Sequence, residues 1–121
     1  MIKLVYCIRR RPDVPADAFY RYWLAEHGPK VRAVAAAIGA VKYVQSHTAM
    51  PETNAAFRQS RGLAAGYDGI TEVWFTDEAT MQAALGTPDG VAAAKLLLDD
   101  ESTFIDFANS CIFMTHEHEI F

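Results

Sequence analysis

The chain has 121 residues, 51% of them hydrophobic and 21% charged, with a formal net charge of -4; one domain over residues 1–121 can bury a core at this length without metal or disulfide support. The only basic run is Arg9-Arg10-Arg11, and no apolar stretch approaches the ~20 residues of a membrane span, so neither nucleic acid nor a bilayer is an expected partner. Met1 to Ile8 lacks a basic lead and a cleavage site, and Cys7 and Cys111 sit far apart in apolar runs, which together point to a cytoplasmic protein with free thiols.

Ile2 to Ile8 is a continuous apolar run of β-formers that stops at the three arginines and Pro12, and it predicts a first strand. Pro15 suits the first turn of a helix and Asp17 its dipole, while Phe19, Trp23 and His27 recur at every fourth residue on one face. This helix is expected over about Pro15 to Glu26. Gly28-Pro29 interrupts it and leaves His27 at a break, after which Val31, Val34, Ala35 and Ile38 resume helical spacing as far as Gly39, a left-handed stop.

Val41 to Thr48 alternates as a second strand, and Gly69 to Phe75 reads as a third. Between them Ala49 to Asp68 is an irregular connection with room for a short helix, far longer than a hairpin loop of ~2–5 residues. Thr76 and Asp77 cap a helix carrying Met81, Ala84 and Leu85; Thr87-Pro88 starts another with Val91, Ala94, Lys95 and Leu98 that reaches about Asp100. Phe104, Ile105 and Phe107 anchor a connector, and Cys111 to Ile120 supplies the last strand.

This order of strands and helices predicts an α+β split βαβ sandwich, with helices on one face of an antiparallel four-stranded sheet. Both pleat faces are apolar, however: Ile70 and Trp74 oppose Val73 and Phe75, and Ile112 and Met114 oppose Cys111 and Phe113. A second copy packed sheet against sheet would cover the face that the helices leave bare, so a homodimer is expected.

The segment Phe19-Tyr-Arg-Tyr-Trp-Leu-Ala-Glu-His27-Gly-Pro29 resembles the signature of the EthD-like family, a branch of the dimeric α/β-barrel superfamily. Further pieces follow in order: Lys42 to His47, Tyr67 to Phe75, Thr87 to Gly90, Phe104 to Asp106, and Glu117-His118. The resemblance implies a ferredoxin-like protomer in a homodimer of facing sheets, with a ligand cleft between each sheet and its helices. Similar proteins include polyketide cyclases, a muconolactone methylisomerase and haem-degrading monooxygenases, acting mostly on aromatic or conjugated compounds without a bound metal, and EthD itself is an accessory protein of ether breakdown. In place of the family's usual Ser or Thr helix cap this chain has Val14, so the first turn is weakly capped.

His27 is the leading catalytic candidate, since imidazole titrates near neutral pH and occupies the signature position; the alternative is a ring that stitches the helix break. Tyr43, Gln45 and His47 share one strand face, toward either a pocket or an exposed edge. Tyr6, Tyr22, Trp23 and Trp74 could wall an aromatic ligand or serve as plain core. Glu72, on an inner strand, requires a partner such as Lys3 if it is not a pocket acid. Arg58 and Arg61 lie in the long connection, facing either an anionic ligand or solvent. His116 and His118 make an H-x-H pair with no evident third ligand, so no metal and no other cofactor is expected.

Three functions remain open. The first is a cofactor-independent cyclase, dehydratase or isomerase for a small aromatic, lactone or polyketide-like substrate, in which His27 moves a proton and Tyr43 or His47 holds the enolate. The second is an accessory protein that binds a hydrophobic intermediate for an oxygenase system. The third is a cofactor-free or haem-degrading monooxygenase.

Overall fold

A computed structural model describes all residues 1–121. Strands β1 (Ile2–Ile8), β2 (Ala40–His47), β3 (Gly69–Phe75) and β4 (Cys111–His116) form one sheet of order β2-β3-β1-β4 with every neighbouring pair antiparallel. The two most apolar strands, β1 and β3, are therefore central. Helices α1 (Ala16–Tyr22), α2 (Gly28–Ile38), α4 (Glu78–Leu85) and α5 (Pro88–Glu101) make the second layer, and α3 (Pro51–Arg61) occupies the long connection. This is the ferredoxin-like α+β arrangement the sequence implies. No helix is long and apolar enough to cross a membrane.

Local chemistry accounts for the helix ends. Pro15 opens α1 with no side-chain cap, in keeping with Val14 before it. The Asp77 carboxylate accepts from Thr80 N–H, and the Thr87 hydroxyl accepts from Gly90 N–H at the starts of α4 and α5. Gly39 ends α2 at φ 75°, a conformation that glycine adopts without steric cost. The last strand stops at His116, short of the expected Ile120, because β1 begins at Ile2 and offers no further partner.

The expected break at Gly28-Pro29 is absent. His27 and Gly28 both keep right-handed helical angles, and α1 runs into α2 through a wide turn, Trp23–His27. Pro29 has no N–H to give Ala25, and its ring would crowd that carbonyl in a regular helix. The chain instead takes one extra residue into the turn, so that Gly28 N–H bonds to Trp23 C=O, five residues back.

Register separates the two sheet faces. Leu4, Tyr6, Ile8, Gly69, Thr71, Val73 and Phe75 share the helix side, and Phe19, Trp23, Phe104, Ile105 and Ile8 form the most buried cluster there. Each such large side chain contributes about 1.5–3 kcal/mol on burial. The connector after α5 is tied to the end of β1 by Arg11 N–H to Phe104 C=O at 2.9 Å and Asp106 N–H to Arg9 C=O at 2.8 Å. Phe107, expected as an anchor, is exposed.

The opposite face carries Val5, Val44, Ile70, Trp74 and Phe113 and has no covering layer. Ile70 is 37% and Phe113 50% exposed. At its centre Lys3 Nζ meets Glu72 Oε2 at 2.7 Å, the structural pairing rather than a pocket acid. Cys7 and Cys111 stand opposite each other on β1 and β4 as free thiols.

Candidate active site

Between the sheet and the helices lies a cavity of about 210 Å³, below the ~300 Å³ at which drug-sized sites begin. Its walls are mostly apolar, and the polar groups that reach it are Tyr6, Trp23, His27, Tyr43, Thr71 and Glu101. A larger groove, about 490 Å³, runs between α2 and β2 past Leu24, Arg32 and Lys42. It holds no buried ionisable pair, so the chemistry converges in the smaller space.

His27 is 5% exposed. Its Nδ1 lies 2.7 Å from Asp100 Oδ2 near the end of α5, while Lys30 Nζ lies 2.8 Å from Asp100 Oδ1 and the Tyr22 hydroxyl donates to the same oxygen. Burial pushes the Asp100 carboxyl up, but bonds from Lys30, Tyr22 and His27 outweigh it and hold the group below its ordinary value. Burial likewise dominates at His27 and leaves its pKa low despite the bond it donates to Asp100. The contact is thus a neutral imidazole on a carboxylate, not an ion pair. With Asp100 ionised, Nδ1 carries the proton and Nε2 the lone pair, and Nε2 has no protein partner. The ring does not stitch the helix, which needs no stitching.

Glu101, the next residue, faces the cavity from the last turn of α5. Burial pushes its carboxyl up to about 7, against the partly offsetting bond from Tyr6, and the Asp100 charge adds to the rise. A neutral base and a carboxyl near half-protonation therefore share one cavity, the pattern that separates acid from base roles. Sequence reading passed over both acids. Glu101 could have been found, because it continues the stripe Ala94, Leu97, Glu101 by which α5 lines the cavity.

Of the other candidates, Tyr6, Trp23 and Tyr43 line the same cavity as His27. His47 faces the helix side but stands behind Trp23, its ring stacked on the indole at 4.5 Å and bonded through Nε2 to Gln45 Oε1 at 2.9 Å. Trp74 is a correction: it points from the open face, between Lys3 and Lys42 and bonded to Glu117, and it cannot wall this cavity. Its strand places odd-numbered residues toward the helices, which the apolar character of both faces concealed. Arg58 and Arg61 lie on α3 and do not line the cavity. His116 falls at the end of β4 and His118 beyond it, and no group of three or more metal-type ligands gathers anywhere in the chain.

The family model of the EthD domain matches residues 11–108. Among solved structures, an EthD family protein from Bacillus halodurans is similar at 18% identity with a TM-score of 0.64, over 98% of this chain and 99% of that one. A dimeric ferredoxin-like protein of unknown function from Thermobifida fusca is similar at 19% identity and a TM-score of 0.54, over 94% and 88% of the two chains. SnoaB, a cofactor-independent oxygenase from Streptomyces nogalater, shares 11% identity with a TM-score of 0.54 over 98% and 93%. At such identities the likeness is one of fold. No curated protein matches the chain.

Proposed function

Because this chain belongs to the EthD family, we propose that it is a cofactor-independent enzyme that moves a proton on a small aromatic, lactone or polyketide-like substrate, as in cyclase, dehydratase or isomerase chemistry. The observation that carries this reading is His27, buried at the cavity wall with Nδ1 held by Asp100 and Nε2 without a protein partner. Nε2 takes a proton from a carbon beside a carbonyl. The Asp100 carboxylate stabilises the imidazolium that results, and Glu101, which lines the same cavity, returns a proton. In this reading Tyr43, which lines the cavity from β2, meets the enolate oxygen, and His47, stacked behind Trp23, does not touch the substrate.

The protomer works as a homodimer in this reading. Val5, Ile70, Trp74 and Phe113 form an uncovered apolar sheet face, which a second copy would bury across a two-fold axis. The dimeric Thermobifida fusca relative is consistent with that. Two free thiols suit the reducing cytoplasm.

The test begins with a thermal-shift screen of hydroxylated aromatics, lactones and haem, and then compares wild type with His27→Ala on the compound that binds. Turnover should fall about 10²–10⁴-fold with little change in affinity. Conversion untouched by His27→Ala removes the catalytic reading. The apolar walls favour a second reading, an accessory protein that holds a hydrophobic intermediate for an oxygenase system, as in ether degradation. It predicts tight binding with no conversion.

A further inference from the structure

Trp23 is fully buried, and its indole Nε1–H is the one buried side-chain polar atom in the protein with no hydrogen-bond partner. Such orphans are rare and call for a physical account. The indole cannot be re-aimed cheaply, for it is stacked on His47 and pressed against Gly69. Tyr43 stands in the same wall. Its hydroxyl oxygen accepts from Gln45 Nε2 at 2.9 Å, and that amide is itself fixed, donating to Trp23 C=O at 2.8 Å and accepting from His47 at 2.9 Å. An amide nitrogen only donates, so the Tyr43 proton is left to point elsewhere, and no protein acceptor takes it.

Thr71, diagonal to Tyr43 across β2 and β3, is 7% exposed and lines the cavity, and its hydroxyl has no partner beyond the Tyr43 oxygen. The donors of Gln45, Thr71 and Trp23 gather round the Tyr43 oxygen and partly offset the rise that burial imposes on it. Trp23, Tyr43 and Thr71 thus bring three donors, held by no firm acceptor beyond the Tyr43 oxygen itself, to one corner of a largely apolar cavity.

We propose that Trp23 Nε1–H, the Tyr43 hydroxyl and the Thr71 hydroxyl form a seat for one acceptor-only oxygen of the substrate, which restricts substrates to compact ketones, lactones or quinone-like carbonyl compounds. This rests on the proton-transfer reading of the same cavity and adds the substrate class. The step balances without a cofactor. His27 Nε2 takes the α-proton, the C–H pair becomes the new C=C bond, and the carbonyl π pair moves onto the seated oxygen, where donors bind the enolate more strongly than the ketone. A hydrocarbon of the same shape leaves all three donors unpaired and is rejected.

The test uses α-tetralone and tetralin, a bicyclic ketone and its hydrocarbon analogue. Wild type should bind the ketone about tenfold more tightly by calorimetry, and the bound carbonyl should stretch at lower frequency than in hexane. Trp23→Phe, Tyr43→Phe and Thr71→Val should each lose part of the preference and part of the shift; any variant unfolded by circular dichroism is set aside, and the wild-type preference and shift still decide. His27→Ala should keep both while abolishing exchange of the α-protons in heavy water. Equal affinity of wild type for the two probes, failure of both to bind, or a preference unchanged in every folded donor variant overturns the seat. A ketone preference lost in those variants, with no α-proton exchange in wild type, supports the seat and sinks the proton-transfer reading instead.

Discussion

Replacing Glu101 by Gln should make the protein more stable, by an amount that grows as pH rises from about 4.5 to about 7 and then stays constant. The folded carboxyl titrates at about 7 against an ordinary 4.5. Between those values the folded chain keeps a proton that the unfolded chain has released, so stability falls as pH rises. At about 1.4 kcal/mol per pH unit the loss sums to about 3 kcal/mol by pH 7, and it stays at that level above. Below 4.5 both states are protonated and Glu101 contributes nothing. Gln keeps the shape and removes the titration. His27, whose pKa is lowered, gives the opposite slope below its ordinary value, but it is common to both proteins and cancels in the difference. Asp100 acts below 3.8, outside the window. Urea unfolding at fixed protein concentration should show the two proteins equal near pH 4.5 and the Gln variant ahead by about 3 kcal/mol near pH 8. A difference that stays flat across this range would refute the argument that Glu101 is held near half-protonation.

Asp100→Asn, by offering Nδ1 an amide, loses the charge that stabilises a protonated His27; α-proton exchange of α-tetralone should fall at least about a hundredfold while ketone binding holds, and unchanged exchange would take Asp100 out of the mechanism. Gly69→Ala would place a Cβ 2.6 Å from both Ser46 C=O and the Trp23 ring, with a loss of about 2–3 kcal/mol read from the urea midpoint; an unmoved midpoint would mean the indole is not pinned. Phe113→Glu, on the open sheet face, should shift light scattering from twice 13.4 kDa to the single mass at micromolar concentration. A wild-type protein already at the single mass contradicts the sheet-to-sheet dimer.

The strands, the caps at Asp77 and Thr87 and the stop at Gly39 were legible because each depends on neighbours in sequence. The Lys3–Glu72 pair was legible too, since a charge in an inner strand needs a partner and few were on offer. What stayed hidden needs the third dimension. Trp74 and Thr71 lie on opposite faces of β3, and with both faces apolar no pattern says which one the helices cover. Asp99, Asp100 and Glu101 are adjacent acids at the end of one helix, yet Lys95 pairs with Asp99 outside while Asp100 and Glu101 turn inward, a difference that sequence alone does not display. The Asp100 contact to His27 spans 73 residues and exists only because α2 packs on α5.

The Gly28-Pro29 pair shows how a correct local reading can still miss the consequence. Pro29 does disrupt the regular helix, but the disruption is absorbed as a wider turn over Trp23–His27. In a regular helix each step of four residues overshoots a full turn by roughly 40°, so Phe19, Trp23 and His27 would drift by roughly 80°. A turn that takes more residues per revolution reverses part of that drift between Trp23 and His27. Phe19 can then pack in the core while Trp23 and His27 both reach the cavity, with exposures of 0%, 0% and 5%. The residue pair that looks like an interruption is thereby the local cause of the alignment between an indole donor and an imidazole base. In the proposed mechanism, substrate oxygen and substrate proton would be addressed from a single turn of helix, and that turn exists because one residue has no N–H to give.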